Sequence, residues 1–165
     1  MLPIGFARCL LATSTISALV LAAMPDPAKA QQTTFQYAVK FVCGKPTPAT
    51  AHLVQPGSYS VVVNVHNPSA NPTEIRFKVA LALEAQDGAI SGFMNRVLKP
   101  DAAQFFTCKF FSTLITLPAL SDGFFVIESS KRLDVTAYYT ALGASGPSIA
   151  VERIAERLIR DGEAQ

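Results

Sequence analysis

Apolar and polar residues alternate with a period of two along most of the chain beyond residue 33, the spacing of half-buried strands. In "FQYAVKFVC", Phe35, Tyr37, Val39, Phe41 and Cys43 share one face, with Gln36 and Lys40 opposite. "YSVVVNVH" lines up Tyr59, Val61, Val63 and Val65, and "TEIRFKVALALEA" sets Ile75, Phe77, Val79, Leu81 and Leu83 against Glu74, Arg76 and Lys78. "AQFFTCKFF" reads as a strand with Phe106, Cys108 and Phe110 on one face and Phe105, Thr107, Lys109 and Phe111 on the other. "GFFVIESS" and "LDVTAYYTAL" read as neighbouring strands, and "FMNRVLKP" as a weaker one. Between them, "GKPTPATAHLVQPG" and "NPSANP" carry loop and turn chemistry.

The end of the chain fits two patterns. In "IAVERIAERLIRDGEAQ", Val151, Ile154, Ala155, Leu158 and Ile159 form a helical stripe, yet Ile149 and Val151 after a Gly-rich turn suit a last hairpin strand. The expected arrangement is strand to about Ile154, then a short helix or frayed tail over 157–165. About seven strands without alternating helices predict an antiparallel, immunoglobulin-like β-sandwich over residues 34–156.

The first thirty residues do not belong to that pattern. Arg8, the apolar stretch "CLLATSTISALVLAAM" and the small-x-small "AKA" follow the order of a secretory signal, with cleavage expected between Ala30 and Gln31. The whole chain carries 14 Lys and Arg against 12 Asp and Glu. Removing Arg8, Lys29 and Asp26 would leave 12 against 11, a net charge of +1. No later apolar run is long enough for a membrane-spanning helix. No basic run offers the phosphate contacts that nucleic acid requires.

Cys43 and Cys108 would remain after cleavage, and in an exported domain their simplest fate is a disulfide. Neither has a Cys or His within four residues, so no local metal or thiolate site is expected. His66 lies outside the apolar row of its strand, at the start of "NPSANP", and is expected to close the turn or meet solvent. A small-ligand or metal carrier would need His52, His66 and Met94 to converge, because copper-type ligands are otherwise scarce. No nucleophile elbow, zinc-protease helix or phosphate loop is present, and no cofactor is expected. Asp87, Asp101, Glu128 and Asp134 are the scattered carboxylates available for glycosidase-type chemistry, each more simply a turn or solvated strand residue.

Paired phenylalanines at 105–106, 110–111 and 124–125 point one ring of each pair away from the core if all lie on strands. Phe105, Lys109 and Phe111 then share a face that is either covered by a loop or the C-terminal tail or exposed as a contact surface for a protein or cell-surface partner. The expectation is a non-enzymatic contact module.

The segments "YAVKFVCG", "PGSYSVVVNVHNPS", "FKVALAL", "GFFVIESS" and "LDVTAYYTA" together resemble a family of small exported bacterial proteins with no assigned biochemical function, across about residues 37–154. The resemblance implies an all-β exported domain and a bacterial source, and it carries no catalytic or binding residues.

Overall fold

Residues 33–160 are described by a computed structural model; the leader and the Ala30–Gln31 junction lie outside the described residues. The strands are β1 (Thr33–Gly44), β2 (Gly57–His66), β3 (Thr73–Leu83), β4 (Gln86–Ile90), β5 (Met94–Leu98) and β6 (Ala103–Thr107). After one helical turn, α1 (Cys108–Phe111), come β7 (Leu120–Ser129), β8 (Asp134–Gly143), β9 (Gly146–Arg153) and β10 (Arg157–Arg160). Every pairing among them is antiparallel.

The pairing network runs through all ten strands, but one pair, Gly44 opposite Tyr59, connects its halves. One half is β3-β7-β1, with β4 and β5 along the free side of β3 and β10 along β1. The other is β6-β2-β8-β9. The halves face each other as the two layers of a sandwich. Gly44 turns the chain from one layer to the other with φ at +102°, where a side chain would meet the carbonyl of Ala119.

Alternation fixes the core. Tyr37, Val39, Phe41, Ile75, Phe77, Val79, Phe125 and Ile127 point inward from the first sheet, and Val61, Val63, Val65, Phe106, Val135 and Ala137 from the second. Rings meet between the layers, Phe106 lying 5.0 Å from Phe77 and 5.1 Å from Phe125. Each buried side chain of this size contributes roughly 1.5–3 kcal/mol. Tyr37 closes one end: its hydroxyl donates to Leu133 O at 3.0 Å and accepts from Leu133 N at 2.7 Å. Burial raises its pKa above the ordinary tyrosine value.

The all-β sandwich agrees with the alternation, and three local details differ. The segment after Ile154 is neither helix nor tail over Arg157–Arg160, which pairs with Thr33–Gln36 as β10. A segment this short does not nucleate a helix alone, whereas the edge of β1 offers a row of unpaired backbone groups. The polar "QDGAI" forms β4 against the end of β3, after a turn in which Ala85 takes a positive φ of 56°. Finally, "AQFFTCKFF" stops being a strand at Thr107, with consequences for the proposed face.

Candidate interaction surface

The Cys43–Cys108 disulfide expected from the cysteine count is present, with its Cα atoms 5.8 Å apart. It anchors the end of β6 to β1, and the Thr107 hydroxyl accepts the Phe110 N–H at 3.3 Å as the cap of α1. A helical turn does not alternate faces, so Phe110 and Phe111 both swing inward. Phe111 is fully buried, 5.1 Å from Phe41 and 4.8 Å from Phe125, and Phe110 packs on Phe77 and Phe106. The face expected from Phe105, Lys109 and Phe111 is therefore corrected: Phe111 is core, Lys109 is exposed on the helical turn, and Phe105 alone stays on the outer strand surface.

Phe105 belongs instead to the outer face of the second sheet. It stands opposite Asn64 of β2, which stands opposite Thr136 of β8 and, beyond it, Arg153 of β9. The next row is Thr107, Val62, Tyr138 and Val151, and the next Ser60, Thr140 and Ile149. Phe105 is 69% exposed, Leu142 60%, Ile149 73%, Val151 63% and Tyr138 39%. These five make an apolar band across the outer face, interspersed with polar residues such as Asn64, Thr140 and Arg153. The signal for Tyr138 and Leu142 was available in the sequence: they have the opposite parity to Val135 and Ala137, which the core requires.

A charged corner borders this band. His66 Nδ1 lies 3.2 Å from Asp134 Oδ2, and Nε2 lies 3.1 Å from Asp101 Oδ1. The bond to Asp134, then that to Asp101, raises the imidazole pKa and favours a cation bridging two carboxylates. Behind it, buried Asn67 ties the "NPSANP" turn to the β5–β6 connection. Its Nδ2 donates to Asn71 O at 2.9 Å and Lys99 O at 3.0 Å, while Oδ1 accepts from Ser69 N and Thr73 Oγ1, both at 3.1 Å. His66 thus does more than meet solvent: it fastens the corner where three connections meet.

The outer face of the first sheet carries a polar row beside exposed Ile90, Val97 and Phe124. Arg76, Glu128, Gln36 and Arg157 stand in register across β3, β7, β1 and β10. Arg76 Nε donates to Glu128 Oε2 at 2.6 Å, Gln36 Nε2 to Glu128 Oε1 at 2.9 Å, and Arg157 Nη2 to Gln36 Oε1 at 2.7 Å. An open groove of about 650 Å³ runs beside this row, lined by Glu74, Asn95 and Val97 among others. Both Glu128 oxygens are occupied by donors, so the row reads as a cross-strand ladder that holds the sheet together.

His52, His66 and Met94 are not brought together. His52 lies 3.6 Å from Glu84, just beyond the end of β3, whereas His66 adjoins Asn67, which bonds Thr73 at the start of β3. A strand of that length puts them roughly 30 Å apart along the sandwich. Met94 sits between these ends, opposite Phe77. The carboxylates at His66 occupy opposite ring nitrogens and do not converge on one point. Among the described residues no cluster of three or more His, Cys, Asp or Glu has metal-binding geometry, and no helix is long and apolar enough to cross a membrane.

No family model and no curated protein matches the chain. Among solved structures it is similar to the crystal structure of Thermotoga maritima 1070, with 8% identity and a TM-score of 0.48, over 75% of this chain and 92% of that one.

Proposed function

We propose that the chain is an exported, non-enzymatic β-sandwich module that works by binding a protein partner through the outer face of its second sheet. The observation that carries this reading is the apolar band of Phe105, Tyr138, Leu142, Ile149 and Val151 on the outer face of the second sheet. The disulfide and the leader-like first thirty residues support an oxidising compartment outside the cytoplasm. Phe105, projecting from an edge strand beside Asn64, is the anchor of the contact. The likeness to small exported bacterial proteins supports export alone.

A photo-crosslinking amino acid placed at Phe105, and separately at Phe124 on the opposite outer face, tests it in the producing cell. The expected result is a discrete adduct from position 105 that disappears with Tyr138→Asp, and none from position 124. Adducts of equal yield from both faces, or none from 105, would sink the reading.

A further inference from the structure

The free edges of this sandwich are unequal. β4 and β5 are five residues each and interrupted by "SGF", β10 is four residues with an Arg at each end, and β6 is five residues ended by the disulfide turn. Short, broken or charged edges are the usual defences against pairing with another chain. β9 is longer and unbroken, with its proline, Pro147, at one end and its charges, Glu152 and Arg153, confined to the other. It runs eight residues, Gly146–Arg153, carries no lysine and no bulge in its pairing with β8, and is exposed along nearly its whole length.

Which backbone groups face outward follows from the hairpin. Gly143 and Gly146 close a two-residue turn, so they exchange hydrogen bonds, and alternate residues beyond them do the same. Ser148, Ala150 and Glu152 therefore bond β8, while Ile149, Val151 and Arg153 present N–H and C=O to the free side. Pro147 fits this assignment, since its missing donor falls on the free side and costs β8 nothing. The Tyr139 hydroxyl donates to Glu152 Oε2 at 2.8 Å and pins the strand to β8; burial and this carboxylate raise the tyrosine pKa.

We infer that β9 pairs antiparallel with β9 of a second copy of this chain, about a two-fold axis through Ala150. The segment "PSIAVER" is complementary to itself in that register. Ile149 falls opposite Val151 of the second copy, and both residues carry outward-facing backbone groups, so each such pair makes two hydrogen bonds. Arg153 N–H reaches the Pro147 carbonyl of the other copy, and Glu152 falls opposite Ser148. No like charges oppose each other. Shifting the register by two residues either sets Ile149 against Arg153 or loses an apolar pair; shifting by four sets Glu152 against itself. The side chains of Ile149 and Val151 from both copies then form one apolar cluster, flanked on each side by Tyr138. This pairing shares Ile149 and Val151 with the proposed docking face but uses their backbone edge, so either can fail without the other. A single eight-residue edge is small beside a standard interface of roughly 1,200–2,000 Å², so the dimer is expected to dissociate on dilution.

Sedimentation equilibrium of the purified protein over a dilution series, with amide exchange at the same concentrations, tests this. The expected result is a monomer–dimer equilibrium in which the Ile149 and Val151 amides are protected at high concentration and exposed on dilution. Ile149→Lys and Val151→Lys should each weaken the dimer at least about tenfold, the 1.4 kcal/mol step in binding, with the melting temperature unchanged at dilutions where the unmutated protein is monomeric. Phe105→Asp, on the far edge of the same sheet, should leave it unchanged. Three results would overturn the inference: a monomer at every concentration with freely exchanging edge amides; a dimer that survives both lysine variants and falls apart with Phe105→Asp; or edge amides protected in a monomer by a co-purified extended peptide. The exchange measurement on the unmutated protein needs no variant to fold.

Discussion

Opening the Cys43–Cys108 bridge is expected to cost the fold about 4 kcal/mol. The two cysteines are 65 residues apart, and closing a loop of that length in the unfolded chain removes roughly 14 cal/mol/K of entropy in the chain-entropy description. For a domain of this size each kcal/mol moves the melting temperature by about 3–5 °C, which puts the reduced protein roughly 12–20 °C below the oxidised one. The loop spans β2 to β6 and so includes strands of both layers, which the bridge restrains together in the unfolded chain. Differential scanning calorimetry of oxidised and reduced protein measures the shift. Reduction keeps both sulfur atoms and hence the packing, while Cys43→Ala with Cys108→Ala also removes buried volume and should melt lower still. A reduced protein melting within about 3 °C of the oxidised one would refute the reasoning, showing that the unfolded chain is compact enough for the bridge to restrain little.

Four smaller perturbations test individual parts. Phe111→Ala should cost about 3–5 kcal/mol, while Phe105→Ala should stay within roughly 0.5 kcal/mol; urea denaturation reads both, and equal losses would place the two rings in similar surroundings. Asn67→Ala strips a donor from the buried carbonyl of Leu98 and from the part-buried one of Lys99 and should cost about 1–3 kcal/mol in the same assay. Tyr37→Phe leaves both backbone groups of Leu133 without their partner, and a loss of about 1–3 kcal/mol is expected by thermal melting. His66 has its pKa raised in the folded state, so its contribution is fully present below the ordinary value of 6.5 and is lost as pH rises through the folded value. The stability gap between the protein and His66→Gln should therefore be widest in mild acid and close above neutrality; a gap that widens with pH contradicts the bridged cation.

The parts of the fold legible in the sequence are those with one buried face. β1, β2 and β3 each place every second residue in the core, and the period of two records that burial directly. The same rule misplaced Phe111 because it assumes a strand, and Thr107 together with the disulfide ends that strand one residue before Cys108. Nothing local announces the switch: the cap is a common threonine, and the cysteine partner is 65 residues away. Long-range partners hide the polar sites in the same way. His66 lies 35 residues from Asp101 and 68 from Asp134, so its role as a bridge depends on β2, β6 and β8 being neighbours. Arg76, Glu128, Gln36 and Arg157 each read as ordinary solvated strand positions, and only the register of four strands makes them a ladder.

The ambiguity of the final segment has a physical cause that bears on the dimer. A strand writes a clear alternation only when one of its faces is buried, and β9 lies at the rim of its sheet with both faces open to solvent. Its charges at Glu152 and Arg153 then resemble a helical pattern as much as a strand. Yet Ile149 and Val151 remain β-branched and apolar while 73% and 63% exposed. Packing within one chain gives no reason for that choice, because neither side chain buries more than a fraction of its surface. Pairing with a second copy gives one. It pairs the row of open donors and acceptors that makes a long edge prone to uncontrolled association, and it sets Ile149 and Val151 of the two copies side by side. If Ile149→Lys leaves a stable monomer that stays soluble where the unmutated protein dimerises, the edge is an interface; if the lysine changes neither assembly nor exchange, the apolar pair serves the face of the sheet alone.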